Sequence, residues 1–225
     1  MILKFSVFKP YSGKINHGIT TRQTGSFNDS MPDFKKQAKL LKQFIKYEPI
    51  FSEQLHGNSV IILKKRPKKH LSGDAFITNK KNIPLVIKIA DCQAIILFDP
   101  ITETIAAIHA GWRSSALNIV GKTINKMTEV FNTNPSDLFV GISPSLGPCC
   151  AKFSDPEKEL PAFMKSYIKK HHVDFWQATI DQLKSAGIPE KQIELNGECT
   201  KCNSDKYFSH RNKDTGRMAV FISLR

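Results

Sequence analysis

A chain of 225 residues with 40% apolar and 24% charged residues can bury a core, which excludes a disordered or fibrous protein. No apolar run approaches the ~18 residues of a membrane span, and the N-terminal Met1-Ile-Leu-Lys-Phe-Ser-Val-Phe lacks the apolar region and small-residue cleavage site of an export signal. The formal charge of +13 invites a nucleic-acid partner, but the densest basic run, Lys64-Lys65-Arg66-Pro67-Lys68-Lys69, holds no aromatic residue for base stacking and reads as a solvated loop. A basic nucleic-acid binding module is therefore the weaker reading, and part of the positive potential is free to draw an anionic substrate towards a cleft. One continuous core over residues 1–225, a single domain, is expected at this length. Without an export signal, a cytoplasmic address is expected, with the five cysteines as reduced thiols or ligands rather than a disulfide framework.

In chain order, Ile2 to Phe8 reads as an edge strand, followed by a polar loop containing Arg22. Asp33 to Tyr47 reads as a helix, with Phe34, Ala38, Leu41, Phe44 and Ile45 at helical spacing after Pro32. Short β-rich runs follow at Val60–Leu63, Ala75–Thr78, Leu85–Ile89, Ala94–Phe98 and Thr104–Ile108, separated by Gly, Pro, Asn and Asp, and form the expected central sheet. A long helix is predicted from Ser115 to Phe131, then a strand at Leu138–Ile142. Two helical stretches come next, one carrying Leu160, Phe163, Met164, Tyr167 and Ile168 and one carrying Phe175, Trp176, Ile180 and Leu183. Strands near Ile193 and over Met218–Leu224 close the chain.

Two metal-ligand side chains fall where strands begin or end. Ile89-Ala90-Asp91-Cys92 joins two apolar runs, and Ile108-His109-Ala110-Gly111 leaves the strand that feeds the long helix. Such junctions present side chains at one rim of a rigid scaffold, and a hairpin through Asp99-Pro100 would bring Cys92 and His109 together. Zinc favours thiolate and imidazole, and a catalytic zinc takes three protein ligands so that one position stays open. Among the remaining histidines, His17, His70, His171, His172 and His210 lie in polar surroundings, whereas His56 in Gln54-Leu55-His56-Gly57 directly precedes a strand. A lone Cys or His at such a place is more often explained by packing or hydrogen bonding.

Five segments, Gln54-Leu55-His56-Gly57, Gly73-Asp74-Ala75, Ala90-Asp91-Cys92, His109-Ala110-Gly111-Trp112-Arg113 and Gly147-Pro148-Cys149-Cys150, occur in the order and spacing of the YfiH-type laccase-domain family. Cys199-Thr200 and Thr215-Gly216-Arg217-Met218-Ala219 continue the match, which runs from about Gly18 to the end. The chain thus resembles that family, whose members are often labelled polyphenol oxidases and are now associated with purine nucleoside metabolism. The resemblance implies an α+β fold, mixed β-sheets with flanking helices in a layered sandwich. It implies that His56, Cys92 and His109 hold one zinc ion. It implies action on adenosine, inosine, guanosine or methylthioadenosine, by phosphorolysis and by deamination of adenosine to inosine. For deamination, zinc would lower the pKa of a bound water towards ~7 and supply the attacking hydroxide. Phosphorolysis asks instead for an anion site beside the ribose.

Arg22 matches the family's threonine-arginine loop and is the first candidate for phosphate or substrate contact, since the guanidinium fork suits phosphate. The loop here reads Arg22-Gln23-Thr24-Gly25-Ser26, where the family has a Gly-Gly pair. Gln54, Asp91 and Arg113 are further candidates for substrate contact. Asp91 and Asp74 suit the role of a carboxylate that orients a metal-bound imidazole, or equally a turn cap. Arg113 reads as a site residue or a structural ion pair, and Trp112 as packing rather than a base-stacking platform. Gln93 stands where the family has proline, and Ser114 where it has glycine, at the start of a helix whose N–H groups would meet an anion.

Cys199-x-x-Cys202 has the spacing of half a structural zinc site but no second pair at a recognisable distance, so these thiols read as structural or incidental. In the Cys149-Cys150 pair, adjacent side chains should diverge, with at most one facing the cleft. Alternative functions are a peptidoglycan-precursor editing amidase, also attached to bacterial members of the family, and a copper polyphenol oxidase. Copper is disfavoured because a multicopper centre needs several His-rich ligand sets, and seven histidines, scattered apart from the His171-His172 pair, do not supply them. The expected assembly is a monomer or weak dimer, with no membrane partner.

Overall fold

Short apolar runs bounded by turn residues become the strands of two large sheets packed face to face. The structure is a computed structural model that describes residues 2–68 and 71–225. In chain order the strands are β1 (Ile2–Leu3), β2 (Ile15–Thr20), β3 (Ser52–Glu53), β4 (Val60–Ile62), β5 (Leu71–Ser72), β6 (Ala75–Thr78), β7 (Leu85–Ile89), β8 (Gln93–Asp99), β9 (Thr104–Ala110), β10 (Phe139–Ile142), β11 (Ile168–Lys169), β12 (His172–Val173), β13 (Ile193–Leu195) and β14 (Met218–Leu224). The helices are α1 (Phe34–Leu41), α2 (Trp112–Ala116), α3 (Ile119–Phe131), α4 (Pro156–Glu159) and α5 (Phe175–Ser185). One sheet has the order β1-β2-β14-β7 and is antiparallel throughout. The other, β13-β10-β8-β9-β6-β4, is mixed, with parallel pairs at both edges.

Alternate side chains along each central strand enter different layers. Ala94, Ile96 and Phe98 of β8 and Ile105 and Ala107 of β9 meet Met218, Val220 and Ile222 of β14 and Ile87 of β7 between the sheets. The opposite faces of β8 and β9, through Ile95, Leu97, Ala106 and Ile108, pack on Ile119, Val120, Ile124 and Met127 of α3 and Leu183 of α5. On the far side, Ala219 and Phe221 of β14 lie with Phe27, Leu41 and Ile45 beside α1. Every residue of β8, β9 and β14 is therefore buried, which is why these strands read as continuous apolar runs rather than alternating ones. The architecture is the layered α+β sandwich expected from the sequence.

Several expected elements change. The strand expected over Ile2–Phe8 is only two residues long, because the chain turns into a 3₁₀ helix over Ser6–Tyr11 with Pro10 inside it. β2, read as loop, sits between β1 and β14, and its Gly18 is required by packing: a Cβ there would lie 2.8 Å from the Phe221 ring. The helix over Asp33–Tyr47 ends at Leu41. The single helix over Ser115–Phe131 is broken into α2 and α3 at Asn118, which takes a left-handed conformation and caps α3 by accepting from the Gly121 N–H. The stretch around Phe163 is a 3₁₀ helix, Ala162–Tyr167, leading into β11. The basic run lies after β4, where Arg66 donates to the Glu48 and Asn82 carbonyls; Lys69, and the surroundings expected for His70, lie outside the described residues. Among the described residues, no helix is long and apolar enough to cross a membrane.

Phe98 is fully buried between the sheets, and Phe98→Ala should cost about 3–5 kcal/mol. Urea unfolding checks this, and a loss below about 1 kcal/mol would contradict the placement of the core.

Candidate metal centre

The β-sheet registers bring distant residues to one end of the inter-sheet core. In the β8/β9 hairpin Ala94 pairs with His109, so Cys92 lies just beyond the paired end, next to His109. Along β9, Ile105, Ala107 and His109 share the face that looks into the inter-sheet layer. β6 lies against β9 with Ala75 opposite Ile108, which sets Asp74 beside His109: the His109 N–H donates to the Asp74 carbonyl at 2.7 Å. The Asp74 carboxylate then gathers the rest. It lies 2.9 Å from His109 Nδ1 and accepts the backbone N–H groups of His56 at 2.9 Å and Gly57 at 2.8 Å.

With Nδ1 bonded to Asp74, His109 presents Nε2 as the ligand atom. One ligand atom each from His56, Cys92 and His109 lies within 4.8 Å of the others, and the two imidazole rings stand 4.6 Å apart at 79°. His56 (φ 58°) and Asp91 (φ 83°) both hold left-handed backbone conformations, each costing about 1–3 kcal/mol for a residue with a Cβ; the bonds to Asp74 hold His56 there. Gly111 leaves the centre its room. A Cβ at that position would lie 2.9 Å from His56 Nδ1 and 3.2 Å from Cys92 Sγ.

Burial opposes ionisation of Cys92, but hydrogen bonds from His109 and His56, and the charge they carry when protonated, outweigh it and bring the thiol down to about 6. Burial likewise disfavours protonated His109, yet the bonds to Asp74 and Cys92 raise it to about 9. Burial would raise the Asp74 carboxyl, and the His109, Gly57 and His56 donors hold it below the ordinary range. Two imidazoles and a ready thiolate, with space for a ligand atom from elsewhere, are the donor set of a three-ligand zinc site, and the residues fit that ion.

The centre opens on a cleft of about 690 Å³, within the usual range for small-molecule sites. Trp112, Phe153 and Phe175 form its aromatic wall, and Arg113, His210 and Arg211 bring polar groups. Phe153 packs edge-on to Trp112 and at a tilt to Phe175. A family model described as multi-copper polyphenol oxidoreductase laccase matches residues 10–225. The chain belongs to this family. A protein named purine nucleoside phosphorylase from Clostridium acetobutylicum is 31% identical over 97% of this chain and 96% of its own length. One of the same name from Bacteroides thetaiotaomicron is 30% identical over 93% of this chain and 90% of its own. The crystal structure of YlmD from Geobacillus stearothermophilus superimposes with a TM-score of 0.85 at 25% identity, covering 96% of this chain and 94% of that one.

In this laccase-domain chain, the other residues singled out from sequence divide. Arg22 is not in the cleft wall: its guanidinium donates to Asp214 at 2.6 Å and to the Tyr207 carbonyl at 3.0 Å, and stacks on Phe208. Asp214 also accepts the Ser209 N–H, so Arg22 fixes the loop that carries His210 and Arg211 rather than reaching the cleft itself. Gln54 is equally committed, clamping Lys88 through its backbone N–H and carbonyl. Asp91 lines the cleft but touches neither imidazole by a hydrogen bond; it accepts from Thr200 Oγ1 at 2.6 Å and the Arg211 N–H at 2.7 Å. Of the two aspartates, Asp74 orients the imidazole. Arg113 lies over the Trp112 ring, with no acidic partner among the described residues. Trp112 does pack, as read, and also faces the cleft.

Gln93 is buried and ties the Cys92 strand to α5, accepting from Thr179 Oγ1 at 2.6 Å. The helix containing Ser114 is only five residues long, which removes the expected anion site at the head of a long helix. Phe153, Phe175, His210 and Arg211 were not singled out for the cleft. From sequence Phe175 reads as a helix-face residue, and the Ser-His-Arg-Asn stretch at 209–212 has no metal-like spacing. Asp74→Asn removes the charge that orients His109 and should weaken zinc binding about 10–100-fold. Chelator competition measures this; unchanged affinity would contradict Asp74's role. Metal must also displace the proton that His109 holds up to about 9 and needs Cys92 ionised, which fails as pH falls through about 6. The same titration should therefore show affinity climbing between pH 6 and 9, and a flat profile would contradict the assignment.

Proposed function

We propose that the chain is a zinc-dependent purine nucleoside phosphorylase that also deaminates adenosine, with His56, Cys92 and His109 as the metal ligands. The observation that carries this reading is a single cleft wall in which His56 and Cys92, backed by the buried His109, stand together with three aromatic rings and two arginines. The names of the relatives point the same way. Zinc is preferred to the copper of the family description because a three-ligand Cys/His/His set with an open position suits it. The second ligand cluster among the described residues is all cysteine, not the His-rich set a multicopper oxidase needs.

A purine presents a flat π-face, and Trp112, Phe153 and Phe175 supply matching apolar surface. Phosphate needs fixed donors, and the guanidinium groups of Arg113 and Arg211 offer them in the cleft where Arg22 does not. In phosphorolysis a phosphate oxygen bonds to ribose C1′ while the glycosidic C–N bond breaks and the purine leaves with the electron pair, taking up a proton. In deamination water adds to the purine carbon bearing the amine, and ammonia leaves. When bound, the cation polarises whatever occupies its open position. His210, in the cleft wall and outside the triad, is positioned to pass the proton that either leaving group needs.

Metal-analysed protein incubated with adenosine and phosphate should yield inosine, free base and ribose 1-phosphate, followed by chromatography. His109→Ala should lower both activities at least 100-fold, on the order expected for loss of metal and its chemistry. Absence of all three products from zinc-loaded protein would overturn the reading, and copper without zinc would overturn the metal.

A further inference from the structure

The sequence offers Cys199-x-x-Cys202 half of a metal site, and folding supplies the other half from Cys149-Cys150. The four Sγ atoms lie within 4.8 Å of one another. Cys202 Sγ is 3.7 Å from Cys149 Sγ and 3.5 Å from Cys150 Sγ. A disulfide would place two sulfurs ~2.05 Å apart; four thiolates around one zinc at ~2.3 Å make a tetrahedron whose edges are about 3.8 Å. The observed separations fall by the second figure, and all four cysteines are unbridged.

The backbone around the cluster is built as a ligand loop. The turn after Cys199 is closed by the Asn203 N–H and side-chain amide, both donating to the Cys199 carbonyl. A tetrathiolate zinc carries a net charge of −2, and lysines outnumber the acidic groups around it: Lys169, Lys170, His172 and Asp174 share a surface hollow with Cys149, and Lys201 lies within the loop itself.

We propose that Cys149, Cys150, Cys199 and Cys202 form a second, structural metal site that takes zinc in tetrathiolate coordination. It staples two segments that already touch: the Ser145 N–H donates to the Glu198 carbonyl, and the Thr200 N–H returns to the Ser145 carbonyl. Both segments reach the cleft. The Leu146 N–H bonds the Asp91 carbonyl at 2.8 Å, and Thr200 Oγ1 bonds the Asp91 carboxylate next to Cys92. The staple thus stands behind the cleft wall and holds it without touching substrate, and it is independent of what the cleft catalyses.

The test is metal stoichiometry. Protein purified with zinc should contain two ions per chain, falling to one in Cys202→Ser and, separately, to one in His109→Ala. Cobalt-loaded His109→Ala should keep the intense thiolate-to-cobalt charge-transfer bands of a tetrathiolate site, and this holds the test open if Cys202→Ser fails to fold. One zinc in the wild-type chain with none left in His109→Ala would overturn the proposal. So would disulfides among the four cysteines in unreduced protein, or thiols alkylated equally fast with and without zinc.

Discussion

One carboxylate organises the candidate metal centre. Asp74 is fully buried at the end of β6, where a charge is tolerated only if donors surround it. Its oxygens meet the His109 ring and the backbone N–H groups of His56 and Gly57. Those groups come from a strand of the central sheet and from the loop before β4, so the bonds that satisfy the buried charge also bring two of the three candidate ligands together. The sheet registers do the rest, since β9 cannot pair with β6 and β8 as it does without setting His109 between Asp74 and Cys92.

The two kinds of support differ in stiffness. His109 and Cys92 sit at the ends of fully buried strands packed on both faces, whereas His56 lies on an exposed loop in a left-handed conformation. The loop that brings His210 and Arg211 to the cleft is tied back by Arg22, outside the cleft, through Asp214, and by Asp91, at the cleft wall, which accepts from Thr200 and the Arg211 N–H. Residues that look catalytic from their type and position thus act one step removed. Placement in the cleft falls to neighbours such as Arg211 and Phe153.

Where an apolar run was bounded by Gly, Pro, Asn or Asp, the sequence was sufficient: β6, β7 and β14 begin and end where the runs do. β2 escaped notice because Asn16, His17 and Gly18 interrupt its apolar pattern, although Gly18 is there to admit the Phe221 ring. The start of the chain misled in the other direction, since the alternation of Ile2–Phe8 mimics a strand that Pro10 and a 3₁₀ turn replace. The break at Asn118 is invisible to helical periodicity, because apolar spacing continues across it. The His/Cys/His set was legible through the resemblance and the strand ends. The aromatic wall was not, because no local pattern separates an aromatic facing a cleft from one facing a core. The four-cysteine cluster was unreadable as a whole for a similar reason: its halves are distant in the chain and are brought together by the β-bridge between Ser145 and Cys199.

The most direct test of this account is the anomalous scattering of zinc-loaded crystals soaked with inosine. The account predicts a peak bonded to Cys92 Sγ at ~2.3 Å and to one nitrogen each of His56 and His109 at ~2.0–2.1 Å, with the purine lying against Trp112, Phe153 and Phe175. No peak among these three side chains in crystals that hold zinc elsewhere, or a nucleoside bound away from this cleft, would contradict it.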